Sequence, residues 1–289
     1  MKSATILSVA ALLLAIPANA EQISITTSAD VTLYENSFGD TANGIGEAFF
    51  IGKNNSNSIF RSMFRFDIAG ALPAGATIDS VTLTLYCDRT TSGAFPASLH
   101  RVDKDWGEGQ SLPTGNGGAG APAELDDATW LYRFFVPPSG AGAPTWDSPG
   151  GDFDPAASAT TTIAGEDQFY SWTSKAMASD VQAWLDDPAG NFGWLLHGVE
   201  DGGRSSKRMS SREHPVASQR PALTIVFTAD APCLPDLAEP FGVLDIADVQ
   251  AFIAGFEAQD PIADVAAPQG VFDLADVQAF IAAFVAGCP

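Results

Sequence analysis

The sequence predicts a mainly β fold, a jelly-roll-like β-sandwich with one or two helices, followed by a small all-α unit. Three observations carry that expectation. Apolar and polar residues alternate with period two in several short runs as far as Phe227, turn-forming Gly, Pro, Asn and Asp separate those runs, and a 28-residue repeat with helical periodicity fills the C-terminus.

The chain opens with Met1 and Lys2, an apolar run over residues 6–16, and Pro17-Ala18-Asn19-Ala20 before Glu21. This is the pattern of a secretory signal with a small-residue cleavage site, too short and wrongly flanked for a membrane span. Residues 1–20 are therefore set aside as a signal peptide, 21–229 as the β domain and 230–289 as the repeat domain. The mature chain is expected outside the cytoplasm, secreted or at the cell surface, with no later membrane span.

Residues 23–34 read as an opening strand, and 36–57 as turns enclosing a short strand at Phe49-Phe50-Ile51. In 59–68, Phe60, Phe64, Phe66 and Ile68 share one face and Arg61, Arg65 and Asp67 the other, as a half-buried strand requires. After the turn at 72–76, residues 78–86 alternate again, with Val81, Leu83 and Leu85 inward. A further strand is expected at 98–102. Residues 112–151 hold two Gly, Ala and Pro-rich stretches that read as loops draped over the sheets. Residues 160–163 and 168–172 look extended. From Ser174, a plausible cap, the period becomes helical, with Met177, Val181, Trp184 and Leu185 on one stripe and a stop at Pro188 and Gly190. Strands at 192–199 and 223–227 complete the domain.

Acidic residues outnumber basic ones 35 to 14, giving a formal charge of -21. Such a surface repels phosphate, so nucleic acid is excluded as a partner. Residues 230–289 hold ten Asp and Glu and no Lys or Arg, which concentrates self-repulsion there. Cys233 and Cys288 bracket this segment and are placed to form one disulfide in an oxidising compartment. Cys87, at the end of a strand-like run, reads as a buried thiol with no base beside it.

The repeat matches residues 236–253 with 264–281. In each copy a helix follows the Gly, with Ile246, Val249, Phe252, Ile253 and Phe256 forming a stripe and Leu274, Val277, Phe280, Ile281 and Phe284 its twin. The loops offer Asp236, Asp245 and Asp248, then Asp264, Asp273 and Asp276, at equal spacings. Converging carboxylates with a Gly at the tight turn suit calcium. The same Asp residues, other than Asp236 and Asp264, also suit helix capping.

These units resemble the duplicated loop-helix repeats of dockerin domains, in the variant that ends in Gly-Cys-Pro, here Gly287-Cys288-Pro289. The resemblance implies calcium at those six Asp residues and an acceptor in trans, a cohesin-like or cell-envelope protein. Ala238 and Pro240, or Ala266 and Pro268, stand where dockerins carry two further ligands, and each loop is one residue longer.

The stretches at 60–68, 72–78, Val181 with Trp184, 193–196, 211–213 and 221–224 resemble the DNRLRE family, secreted β-sandwiches related to carbohydrate-binding modules. That resemblance implies a non-catalytic, polysaccharide-binding or cell-surface role, and some members bind acidic polymers such as alginate. Arg204, Lys207, Arg208 and Arg212 form the densest basic patch, and Trp106 and Trp130 lie beside turns, so these six are the candidate residues for an anionic polysaccharide. His100, His197 and His214 show no metal-ligand spacing, no Gly-x-Ser-x-Gly elbow is present, and acidic residues are too frequent for Asp103, Asp105 and Glu108 to single out an enzyme. The competing expectations are a structural or adhesive domain without a glycan ligand and, further off, a polysaccharide lyase or hydrolase.

Overall fold

The computed structural model describes residues 20–229, 234–239 and 243–287. The signal segment before Ala20 and the cysteines of the expected disulfide, Cys233 and Cys288, lie outside the described residues. The chain divides into two compact units, one ending at Thr228 and the other beginning at Ala229.

The first unit contains β1 (Ala20–Thr26), β2 (Ala29–Tyr34), β3 (Thr41–Ala42), β4 (Ala48–Lys53), β5 (Ile59–Arg65), β6 (Thr77–Thr90), β7 (Phe95–Val102), β8 (Ala121–Pro122), β9 (Phe153–Ile163), β10 (Gln168–Thr173), α1 (Lys175–Asp186), β11 (Trp194–His197), β12 (Lys207–Ser210) and β13 (Ala222–Thr228). Eleven strands make one large curled antiparallel sheet in the order β1-β13-β6-β12-β4-β5-β11-β7-β9, with β10 on β6 and β2 on β5. The unit is mainly β.

The curl turns on β4. Its residues Ala48 to Ile51 pair with β12, whereas Gly52 and Lys53 pair with β5. Gly52 has a φ of +88°, and a Cβ there would lie 2.7 Å from the Ser205 carbonyl. A side chain at this position would thus strain the crossing.

The run at 23–34 is two strands, not one. Ser28 donates its amide to the Arg65 carbonyl and the chain changes partner, β1 pairing with β13 and β2 with β5. The helix α1 starts where its cap predicts, Ser174 Oγ accepting from the Met177 amide, and buries Met177, Val181, Trp184 and Leu185. Asp180 anchors it by accepting from Trp194 Nε1 at 2.8 Å, while the Trp184 and Trp194 rings meet at 4.6 Å.

β5 is buried on both faces, which alternation alone did not reveal. Met63 is fully buried in a cluster with Val31, Leu33, Trp106, Trp130 and Trp146, and the three indoles come from the long excursions after β7. Those loops therefore carry a second layer of core. Arg61 and Arg65 stay paired on this face, Arg61 with Glu200 at 2.7 Å and above Trp130, Arg65 with Asp105 at 2.9 Å and above Trp106. Burial raises Glu200, but the hydrogen bonds from Arg61 and His197 outweigh it and hold the carboxyl at about 2.

β12 was not expected from its charged sequence. Lys207 is fully buried, and its ammonium donates to Thr90 Oγ1 at 2.6 Å and to the carbonyls of Gly93 at 2.9 Å and Ser92 at 3.2 Å, with the Phe95 ring 4.8 Å away. Three acceptors satisfy its three protons. Cys87, as read from the sequence, is buried and free, and burial pushes its thiol up to about 11.

The second unit holds α2 (Ile246–Ala258) and α3 (Leu274–Ala286), with a 3-10 turn at Pro261–Ala263 between them. Phe252 and Phe280 stack at 4.1 Å between the helices, and Ala263 closes the cluster.

Replacing Lys207 by Met would remove three hydrogen bonds from the ammonium, while the Ser92 carbonyl and Thr90 Oγ1 keep each other's hydrogen bonds, at a cost of roughly 1–3 kcal/mol. Denaturant unfolding of Lys207→Met is expected to show that loss. An unchanged midpoint would remove the anchoring role from Lys207.

Candidate binding pocket

Side chains alternate along β12, so burying Lys207 and Met209 turns Arg208 outward. Arg208 stands opposite Phe50 of β4 on one side and opposite Arg89 of β6 on the other. The register between β12 and β6 then shifts, Met209 pairing with Cys87, which leaves Asp88 with no opposite residue. This bulge sets two guanidinium side chains on one face of neighbouring strands. Like charges so placed repel, by roughly 0.2–1 kcal/mol on measured scales.

The pair lines a cavity of about 290 Å³ together with Arg204, Asn54, Asn55, Asn116, Phe50 and Phe60. No Asp or Glu is among the lining residues, in a chain whose formal charge is -21. Phe50 and Phe60 form the floor with Tyr34, their rings 5.8 Å apart. The rim is built by turns. Asn54 Oδ1 accepts from the amides of Ser56 and Ser58, Arg204 donates to Asn55 Oδ1 at 3.0 Å, and Asn116 Oδ1 accepts from the Gly118 amide. The Gly-rich loop after Pro113 is held over Phe50 by the Tyr34 hydroxyl, which donates to the Gly117 carbonyl at 2.7 Å. A Cβ on Gly117, whose φ is +80°, would stand 3.2 Å from the Phe50 ring.

Arg208 is only partly neutralised. It reaches Asp88 at 3.3 Å through one terminal nitrogen, while its Nε and Asp88 Oδ1 are buried without hydrogen-bond partners. Burial raises the Asp88 carboxyl against the pull of Arg208. An anion entering the cavity would meet Arg89, Arg204 and Arg208, while the Nε of Arg208 lies buried away from it.

Of the six residues expected to bind a polysaccharide, Arg204 and Arg208 line this cavity. The other four are placed elsewhere. Lys207 is the buried anchor beneath it. Trp106 and Trp130 are buried, Trp106 Nε1 donating to the Phe192 carbonyl, so neither offers a face to a sugar. Arg212 holds Glu108 through two nitrogens, at 2.8 and 2.5 Å, and Glu213 at 2.9 Å, while its amide donates to Asp30. Asp30, Glu108 and Glu213 are the one acidic group among the described residues whose ligand atoms lie within 4.8 Å of one another. Arg212 already supplies its counter-charge. Burial, then Glu213, raises the Asp30 carboxyl well above the carboxylate range. Arg89, Asn54, Asn55 and Asn116 were not singled out from the sequence.

In the second unit five of the six expected calcium ligands accept backbone hydrogen bonds. Asp248 Oδ1 accepts from the amides of Leu237 and Ala238 and its Oδ2 from Asp245, while Asp245 caps Ala247. Asp276 likewise accepts from Ala266 and Asp273, and Asp273 caps Ala275. Asp264 turns one oxygen to the Gly270 amide and keeps Oδ1 buried without a hydrogen bond. Backbone N–H groups close each loop.

No protein-family model matches the chain, and no curated protein matches it.

The amide of Asp245 lowers Asp248 and that of Asp273 lowers Asp276. A depressed carboxyl contributes stability above its unfolded pKa, near 4, that disappears as pH falls through the folded value. Helical circular dichroism is therefore expected to weaken on acidification below about pH 4, and Asp248→Asn/Asp276→Asn to melt earlier at pH 7. Added calcium or chelator is expected to change neither. A calcium-dependent rise in melting temperature would contradict loop closure by amides.

Proposed function

We propose that this chain is an exported, non-catalytic polysaccharide-binding protein whose curled sheet is a jelly-roll-like β-sandwich module and whose acidic repeat unit serves for attachment. The supporting observation is the open cavity lined by Arg89, Arg204 and Arg208 with no acidic side chain, on a chain that is otherwise strongly negative. Guanidinium groups grip carboxylates in pairs of parallel hydrogen bonds, and the amides of Asn54, Asn55 and Asn116 suit sugar hydroxyls. Phe50 and Phe60 are about nine-tenths covered or more, 5% and 3% exposed, so they shape the floor and add little stacking surface. The ligand on this reading is a polymer of acidic sugars, the class bound by some DNRLRE members that the sequence resembles.

The chemistry is recognition alone. Charge-assisted hydrogen bonds fix the carboxylate, and binding weakens with salt because the cavity lies at the surface. Of the three carboxylates weighed for hydrolysis, Glu108 is paired with Arg212 and Asp105 with Arg65.

Calorimetry with a polyuronate oligosaccharide is expected to show saturable binding, at least roughly tenfold weaker in Arg89→Ala/Arg208→Ala and absent with a neutral glucan. Equal affinity for the double variant would move the site elsewhere. Absence of binding to any acidic glycan would leave a structural or adhesive domain.

A further inference from the structure

We infer that the groove between α2 and α3 docks a basic protein segment that inserts large apolar side chains, which names the partner chemistry for the attachment role proposed above and rests on that reading. The groove has a volume of about 330 Å³, and Glu257 is its one charged lining residue. Phe252 and Phe280 form its floor, 4% and 2% exposed, while Ile253 and Ile281 stand on its walls half-exposed at 50% and 54%, and Val285 lies 80% exposed at one end.

Apolar exposure is concentrated in this unit. Of the fifteen large hydrophobic side chains that are exposed among the described residues, nine lie from Leu234 onward. Patches of this kind mark surfaces that another molecule covers. The 28-residue repeat doubles the feature, since Ile253 and Ile281 occupy equivalent positions and line the same groove.

Charge selects the occupant. Residues 230–289 carry ten acidic side chains and no Lys or Arg. A second copy of the unit would bring two such charges together, and an anionic lipid surface would repel it. A protein segment with Lys or Arg flanking its apolar anchors is attracted by the unit's net negative charge and by Glu257, and meets an apolar floor, the arrangement that steers and then holds an amphipathic helix.

The test uses the full chain and fluorescence anisotropy of a labelled amphipathic peptide of Leu and Lys, with its Leu and Glu counterpart as control. The Lys peptide is expected to bind saturably and the Glu peptide not at all. Ile253→Gln/Ile281→Gln, which keeps the charge and is checked by circular dichroism, is expected to weaken binding at least roughly tenfold, and Val285→Gln to weaken it less. Unchanged affinity in both variants would show attraction by charge alone and overturn the groove. Binding to anionic vesicles in place of the peptide overturns it in favour of a lipid surface. Wash-off of the chain from the surface of the producing cells is a separate readout. Complete wash-off refutes the attachment reading and leaves the peptide result standing on its own.

Discussion

The burial of one ammonium group governs how the binding face is built. Lys207 is enclosed and holds Thr90, Ser92 and Gly93 through its three protons. An uncompensated charge in that position would be prohibitively costly, so the strand keeps the register that satisfies it. Given strand alternation, that register sends Arg208 out to stand beside Arg89 and Phe50. The cavity is thus a consequence of what lies beneath it.

The two arginine sites of the β unit show how similar sequence features acquire different roles. Arg212 is surrounded by Glu108, Glu213 and Asp30, and fastens loops to β2. Arg208 has one carboxylate, held at a distance by the bulge at Asp88, and keeps its Nε unbonded. Three surrounding carboxylates make the first structural, whereas the second lines a cavity that has no acidic lining residue. Both lie within a few residues of each other in the chain.

Much of the frame was legible in the sequence because local rules determine it. The stripe Met177, Val181, Trp184, Leu185 and its cap Ser174 follow from helical period and capping chemistry, and so do the helices after Asp245 and Asp273. What could not be read depends on contacts far apart in sequence. Trp106 and Trp130 look like exposed turn aromatics until the excursions that carry them fold onto Met63 and Leu33. Lys207 reads as a surface cation until its three acceptors arrive from the end of β6 and the turn after it. Half of the candidate site was visible as a basic patch, in Arg204 and Arg208. Arg89 and the asparagine rim were not, since they come from three other segments.

The repeat unit shows the same principle on a smaller scale. Its loops carry carboxylates at the spacings of a cation site, and helix N-termini and loop amides bond to them. Capping therefore organises the helices and leaves their apolar stripes only partly covered. For the β unit, the most direct measurement is side-chain nitrogen–proton correlation spectroscopy of the arginines during titration with a polyuronate oligosaccharide. The account predicts that the Nε–H signals of Arg208 and Arg89 move together and saturate while that of Arg212 stays still; movement confined to other arginines, or none at saturating ligand, would contradict it.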